Sequence, residues 1–277
     1  MKNGHLLLQS AAEGVLYYIS GDDNVDDRNV LFHFSGTYRQ QDFYREKSMT
    51  EIDCEKLRGT NCCLDGEARK WLEETIETIE PGSIHFLDSG NYHYMTRLWL
   101  EQIETPFDLL VLDHHTDMDP PMMGEILTCG SWLRDAMDGQ KDLREVYLIG
   151  PTGEDAGRIS GEYREKMHIL TQEQMKEDDH PEEISDGPPV YISIDKDVMG
   201  ETWARTGWSQ GDMSLKEMCG ILDDVMETRD VLGVDICGEC VESGNVAKTQ
   251  KERRINEKQT ACFWNFWKKG KNAGVFE

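Results

Sequence analysis

Apolar and β-branched residues gather in short runs along this 277-residue chain, each closed by small or acidic residues. The runs are NVLFHFSG (29–36), SIHFLDSG (83–90), DLLVLDHH (108–115), EVYLIGPTG (145–153), PVYISIDKD (189–197) and VLGVDICGE (231–239). Runs this short and this apolar predict strands buried on both faces. Between them, EARKWLEETIETIE (67–80), YMTRLWLEQIE (94–104) and SLKEMCGILDDVMETRD (214–230) have helical spacing and composition and predict crossover helices. Strands alternating with helices in this way predict an α/β fold of three α-β-α layers around a central, mostly parallel sheet. At this length one large domain over residues 1–277 is the expectation.

The remaining segments add less. Thr171 to Pro189 is acidic and turn-rich and reads as a surface excursion before a strand, while the basic stretch from Thr249 to Gln259 reads as an exposed segment or helix. The sequence ACFWNFWKKGK near the C-terminus suits amphipathic packing or a subunit contact. No repeat of 20 to 50 residues and no low-complexity tract interrupts the chain.

Charge narrows the partners. Asp and Glu number 54 against 29 Lys and Arg, a formal charge of −25, which repels nucleic-acid phosphates and anionic membrane surfaces and attracts metal ions or a small cationic substrate. The apolar run near the N-terminus, Leu6 to Leu8, is too short for a signal-peptide core, and no stretch reaches the roughly 18 apolar residues of a membrane span. With eight cysteines and no secretory signal, a soluble protein of the reducing cytoplasm is expected.

Candidate chemistry lies at the strand ends, where open α/β sheets bind their ligands. The run DLLVL leads into Asp113, His114, His115, Thr116 and Asp117. In an extended segment alternate residues share a face, so Asp113, His115 and Asp117 converge and His114 points away. PVYISI ends in Asp195 and Asp197, again two apart. Carboxylates with few nitrogens and no thiolate favour manganese or magnesium over structural zinc, and so many carboxylates need two ions to compensate them.

These residues carry a family resemblance. LVLDHHTDMD resembles the Asp-Ala-His-x-Asp element of arginases and agmatinases, and SIDKDVM resembles their Ser-x-Asp-x-Asp element. TGWSQGDMS (206–214) and VLGVDICGEC are similar to two later segments of the same family, in the same order, and SGNYHYMT offers His93 for an upstream histidine ligand. The chain is identified as a divergent member of the ureohydrolases, the arginase, agmatinase and formiminoglutamase family. The resemblance implies two Mn2+ ions, one held by His93, Asp113, Asp117 and Asp195 and the other by Asp113, His115, Asp195 and Asp197. It further implies a hydroxide bridging ions about 3.5 to 4 Å apart that attacks a guanidino or amidino carbon and cleaves a carbon–nitrogen bond. The same resemblance implies that Asp117 accepts a hydrogen bond from that hydroxide, that Glu239, the nearest match to the family's strand glutamate, balances the cationic substrate, and that the chain forms a homo-oligomer.

Three departures stand out. Gly238 adds one residue between Asp235 and Glu239, and Cys129 stands where the family has a proton-shuttle histidine. Neutral cysteine is a poor general acid near pH 7. Trp203 and Trp208 follow the second aspartate pair, where packing or a reshaped substrate pocket are both open readings. Cys237 and Cys240 form a CxxC, read as buried reduced thiols with a redox pair or zinc half-site as alternatives. His33 and His85 alternate with apolar residues and read as structural. Beside the manganese hydrolase stand two other readings, a deacetylase-like amidohydrolase with one Zn2+ and a metal-binding homologue without activity.

Overall fold

The computed structural model describes residues 6–9, 16–20, 29–45, 49–121, 126–176, 184, 187–240 and 246–272. Its strands are β1 (Leu6–Gln9), β2 (Leu16–Ser20), β3 (Val30–His33), β4 (Met49–Asp53), β5 (Cys63–Leu64), β6 (Ile84–Phe86), β7 (Phe107–Leu112), β8 (Leu127–Thr128), β9 (Leu143–Ile149), β10 (Met167–Leu170), β11 (Val190–Asp195) and β12 (Val231–Cys237). Its α-helices are α1 (Gly66–Ile76), α2 (Met95–Leu100), α3 (Trp132–Gly139), α4 (Gly153–Gly157), α5 (Gln172–Met175), α6 (Leu215–Thr228) and α7 (Val246–Asn272).

One sheet runs in the order β1-β2-β4-β3-β6-β12-β11-β7-β9-β10. β1, β2 and β4 pair antiparallel, and every neighbour from β4 to β10 is parallel, so the mostly parallel sheet predicted from six runs has eight parallel strands, β4 and β10 being the two without a predicted run. Alternation along β7 sends Leu109 and Val111 to one core and Leu110 and Leu112 to the other. The first core is closed by Leu72 of α1, Trp99 of α2 and Trp132 of α3, the second by Met218 and Val225 of α6 and Trp264 of α7. Both sheet faces are thus covered, as parallel strands require.

Local signals start the helices where the pattern placed them. The Asp65 carboxylate accepts from the Ala68 N–H at 2.9 Å, and Ser214 and Glu217 form a capping box before α6. The basic stretch from Thr249 to Gln259 is part of α7, with Asn256 and Gln259 buried, and Phe263, Trp264 and Trp267 pack inward. Of the two readings of ACFWNFWKKGK, amphipathic packing holds for these rings. Among the described residues no helix is long and apolar enough to cross a membrane.

Connectivity places the site. From β6 the chain passes to β7, three positions away in the sheet, and β11 and β12 later fill the gap. The carboxyl ends of β6, β12, β11 and β7 therefore lie side by side around the reversal of strand order, where a crevice forms.

Candidate metal centre

His93 follows a short 3-10 turn after β6 and is 1% exposed. Its Nε2 lies 2.8 Å from Ser193 Oγ, so Nδ1 faces the carboxylates. Nδ1 is 3.2 Å from Asp113 Oδ2, 3.1 Å from Asp117 Oδ2 and 3.8 Å from Asp195 Oδ2.

Asp113, His115 and Asp117 do converge on this site, but not along an extended strand. β7 ends at Leu112, and the chain then turns so that the His115 N–H donates to Asp113 Oδ1 at 2.6 Å. Asp117 takes a left-handed φ of 48° and accepts from the indole N–H of buried Trp132. A turn, rather than strand alternation, brings the three together. His114 belongs to none of the donor groups, and its backbone N–H donates to Asp197 Oδ1 at 3.1 Å.

At the end of β11, Asp195 Oδ1 accepts the Asp197 N–H at 2.9 Å, and Asp197 Oδ2 lies 2.9 Å from His115 Nδ1. The far ring nitrogen of His115 meets Ser209 Oγ at 2.9 Å. The donors form three groups whose ligand atoms lie within 4.8 Å of one another: His93, Asp113 and Asp117; Asp113, His115 and Asp197; and His93, Asp195 and Cys237. Asp113 joins the first two groups, and His93 joins the first and third.

Electrostatics favour bound cations. Burial, then the neighbouring Asp113 charge, pushes the Asp117 carboxyl up to about 6. Burial and the charges of Asp195 and Asp113 raise Asp197 well above the usual carboxylate range. Burial alone would lower His115, but hydrogen bonds to Asp113 and Asp197 reverse this and raise it to about 11. Burial alone would raise Asp113 too, but hydrogen bonds to His115 and His93 reverse this and lower it, so without a metal Asp117, Asp195 and Asp197 hold protons longer than free carboxylates while Asp113 stays ionised. Asp and His donors in adjoining groups that share Asp113 therefore fit divalent cations.

The cluster forms the floor of a cavity of about 480 Å³. Asp119, Cys129, Asp155, Arg158 and Trp208 are on its walls. Cys129 sits beside Cys62, its thiol raised mainly by burial, so it stays a neutral group. The Trp208 ring meets His115 edge-on at 5.9 Å and donates from Nε1 to Asn91 Oδ1 at 2.9 Å. Trp203 is exposed and does not line the cavity.

The structure does not bring Glu239 to this cavity. Its carboxylate is buried in an ion pair with Lys196 and accepts from Gln41 Nε2 at 2.9 Å, Asn256 Nδ2 at 3.1 Å and Thr260 Oγ1 at 3.1 Å. Gly238 has φ +92°, and a Cβ there would come within 2.4 Å of Asp195 Oδ1, so the chain passes close against Asp195 and turns away.

Cys237 and Cys240 contact different carboxylates. Cys237 Sγ lies 3.1 Å from Asp195 Oδ2, whereas Cys240 Sγ lies 3.6 Å from Glu252 Oε2, and neither is in a disulfide. His85 is structural, as expected. Its Nδ1 is 2.7 Å from Asp235 Oδ1, and its ring stacks on Trp99 at 3.8 Å. His33 likewise meets Glu51 at 2.8 Å.

Four residues around the centre lay outside the sequence-predicted site: Ser193, Trp132, Cys237 and Lys196. Ser193 is two residues before Asp195 and so on the same strand face, a signal within the Ser-x-Asp-x-Asp match. Trp132 and Lys196 have no comparable local signal, because their partners are distant in sequence.

Residues 91–240 match the arginase family model. An uncharacterized protein of Thermotoga maritima is 32% identical over 215 residues, 76% of this chain and 78% of that protein. Among solved structures, a Trypanosoma cruzi formiminoglutamase with Mn2+ is similar at a TM-score of 0.62 and 10% identity, covering 91% of this chain and 96% of the other. The agmatine ureohydrolase of Thermoplasma volcanium gives a TM-score of 0.59 at 17% identity, covering 87% of this chain and 92% of the other. The matched stretch contains every donor of the centre, from His93 to Cys237, and with that relative's coverage the chain belongs to the arginase family, whose arginases and agmatinases are hydrolases acting on carbon–nitrogen bonds.

Proposed function

We propose that this chain is a metal-dependent hydrolase that cleaves a carbon–nitrogen bond in a small guanidino or amidino compound. The observation that carries the reading is the pair of donor groups sharing Asp113 at the floor of the cavity. Mn2+ in the similar formiminoglutamase structure supports manganese as the principal ion. Two divalent ions held there would lower the pKa of a bound water enough to make it a nucleophile for a trigonal carbon near neutral pH.

This chain's own residues do the rest. Ser193 fixes which nitrogen of His93 is presented, and Trp132 holds one oxygen of Asp117. With Glu239 tied to Lys196, charge balance for a cationic substrate falls to the carboxylates on the cavity wall. Asp155 is paired with Arg158 at 2.8 Å, which leaves Asp119 as the better placed of the two. Neutral Cys129 is a weak proton donor, so the leaving amine takes its proton from another source. In this reading residues 1–277 form one arginase-like domain, a homo-oligomer of the reducing cytoplasm.

Elemental analysis of protein grown with manganese tests the reading, beside a double variant, Asp195→Asn with Asp197→Asn. Metal lost in the variant is expected, together with turnover of one member of an arginine, agmatine, guanidinobutyrate and formiminoglutamate panel. Protein that takes up no divalent ion after reconstitution would remove the basis for a hydrolase.

A further inference from the structure

We propose that Cys237 is itself a metal ligand, completing with His93 and Asp195 a nitrogen, oxygen and sulfur donor set that favours a borderline ion such as zinc or ferrous iron over manganese at the inner position. The inference rests on the two-ion reading above.

Register brings these donors together. Cys237 ends β12, and its Cα is paired with that of Asp195 at the end of the neighbouring β11. The thiol is fully buried, with Sγ 3.1 Å from Asp195 Oδ2, and that same oxygen is 3.8 Å from His93 Nδ1. Ligand atoms around a tetrahedral ion, at bond lengths of roughly 2.0 to 2.3 Å, sit roughly 3.3 to 3.8 Å from one another. The spacing from His93 to Asp195 lies at the upper end of this range, and that from Cys237 to Asp195 is about 0.2 Å below its lower end, within the small adjustment that an incoming ion makes.

Backbone geometry points the same way. Gly238 has no side chain where a Cβ would strike Asp195 Oδ1, so the end of β12 can press against the carboxylate that would share the ion. Cys240 Sγ lies near Glu252, and of the two cysteines Cys237 is the one in a donor group.

Coordination would break the S–H bond and form a sulfur–metal bond, and the proton would leave to solvent. A thiolate is a soft donor, and adding one to imidazole and carboxylate moves preference from manganese towards zinc or ferrous iron. The outer group, Asp113, His115 and Asp197, has no sulfur and keeps its preference for manganese. The two positions of the centre therefore differ in the ion they select.

Cobalt(II) provides the test, since thiolate ligation adds a near-ultraviolet charge-transfer band to the visible ligand-field bands. The full-length protein loaded with cobalt is expected to show that band. Cys237→Ser should lose it while keeping its ligand-field bands, and Cys129→Ser should retain it. In competition titrations Cys237→Ser is expected to bind zinc about tenfold more weakly with manganese affinity little changed. Ligand-field bands without a charge-transfer band in the unmodified protein would overturn the assignment and leave the metal centre standing. A band that disappears in Cys129→Ser instead would also overturn it. Failure to bind any cobalt would overturn the two-ion reading beneath it.

Discussion

Ser193 Oγ lies 2.8 Å from His93 Nε2, and this contact decides which imidazole nitrogen faces the carboxylates. A ligating histidine is commonly oriented by the partner of its other nitrogen, and removing that partner lowers metal affinity about 10- to 100-fold. Ser193→Ala is expected to weaken metal binding by about that factor while the fold is retained, as read by competition with a chelator. Unchanged affinity would mean that the bond does not orient the ring.

Asp113 belongs to two donor groups, whereas Asp197 belongs to one. Asp113→Asn is expected to lose both ions and all detectable hydrolysis. Asp197→Asn should lose only the outer ion. Metal counts per chain check the contrast, and equal losses in the two variants would contradict a shared Asp113.

A pH dependence follows from His115. Its pKa in the metal-free protein is raised to about 11, because its bonds to Asp113 and Asp197 outweigh burial. A folded-state pKa above the unfolded value of about 6.5 gives stability that is full below about 6.5 and is lost as pH rises towards 11. Chelator-treated protein should therefore lose Tm between about pH 7 and 9, and His115→Asn should flatten that slope. Metal binding near pH 7 must also displace this proton, so calorimetry in buffers of different ionisation heat should register proton release. A chelated Tm that rises over this range would count against the assignment.

Lys196 and Glu239 form a buried ion pair behind the centre. Removing one partner of such a pair leaves an uncompensated charge and costs about 3 to 5 kcal/mol. Lys196→Met is expected to destabilise by that amount in urea unfolding, and adding Glu239→Gln should recover part of it. A loss below about 1 kcal/mol for Lys196→Met would show that the pair is not isolated from water.

The fold was legible where burial was complete. β7 and β11 are buried at every position, so apolar runs announced them. β4 carries Thr50, Glu51 and Asp53 at half-buried positions, and β10 lies at the sheet edge with His168 and Ile169 half-buried. Neither stood out as an apolar run, and pairing defines them as strands, β4 between β2 and β3 and β10 beside β9. α2 stops at Leu100 with all its residues buried, so no polar face marked its end.

The sequence by itself determined the class of sheet, the helices α1, α2 and α6, and Asp113, His115, Asp117, Asp195 and Asp197 as candidate donors at two strand ends, because these follow from local periodicity and short spacing; it gave strand alternation, not a turn, as the reason the first three meet. His93 came from the family resemblance. Tertiary structure alone decided that a turn at Asp117 closes the first motif, that Ser193 and Trp132 orient His93 and Asp117, and that Glu239 is committed to Lys196. It also decided that Cys237 faces the donors while Cys240 does not. The physical reason is that a side chain's partner depends on strand register and on the direction the backbone takes at single residues such as Gly238, and neither leaves a periodic trace in the sequence.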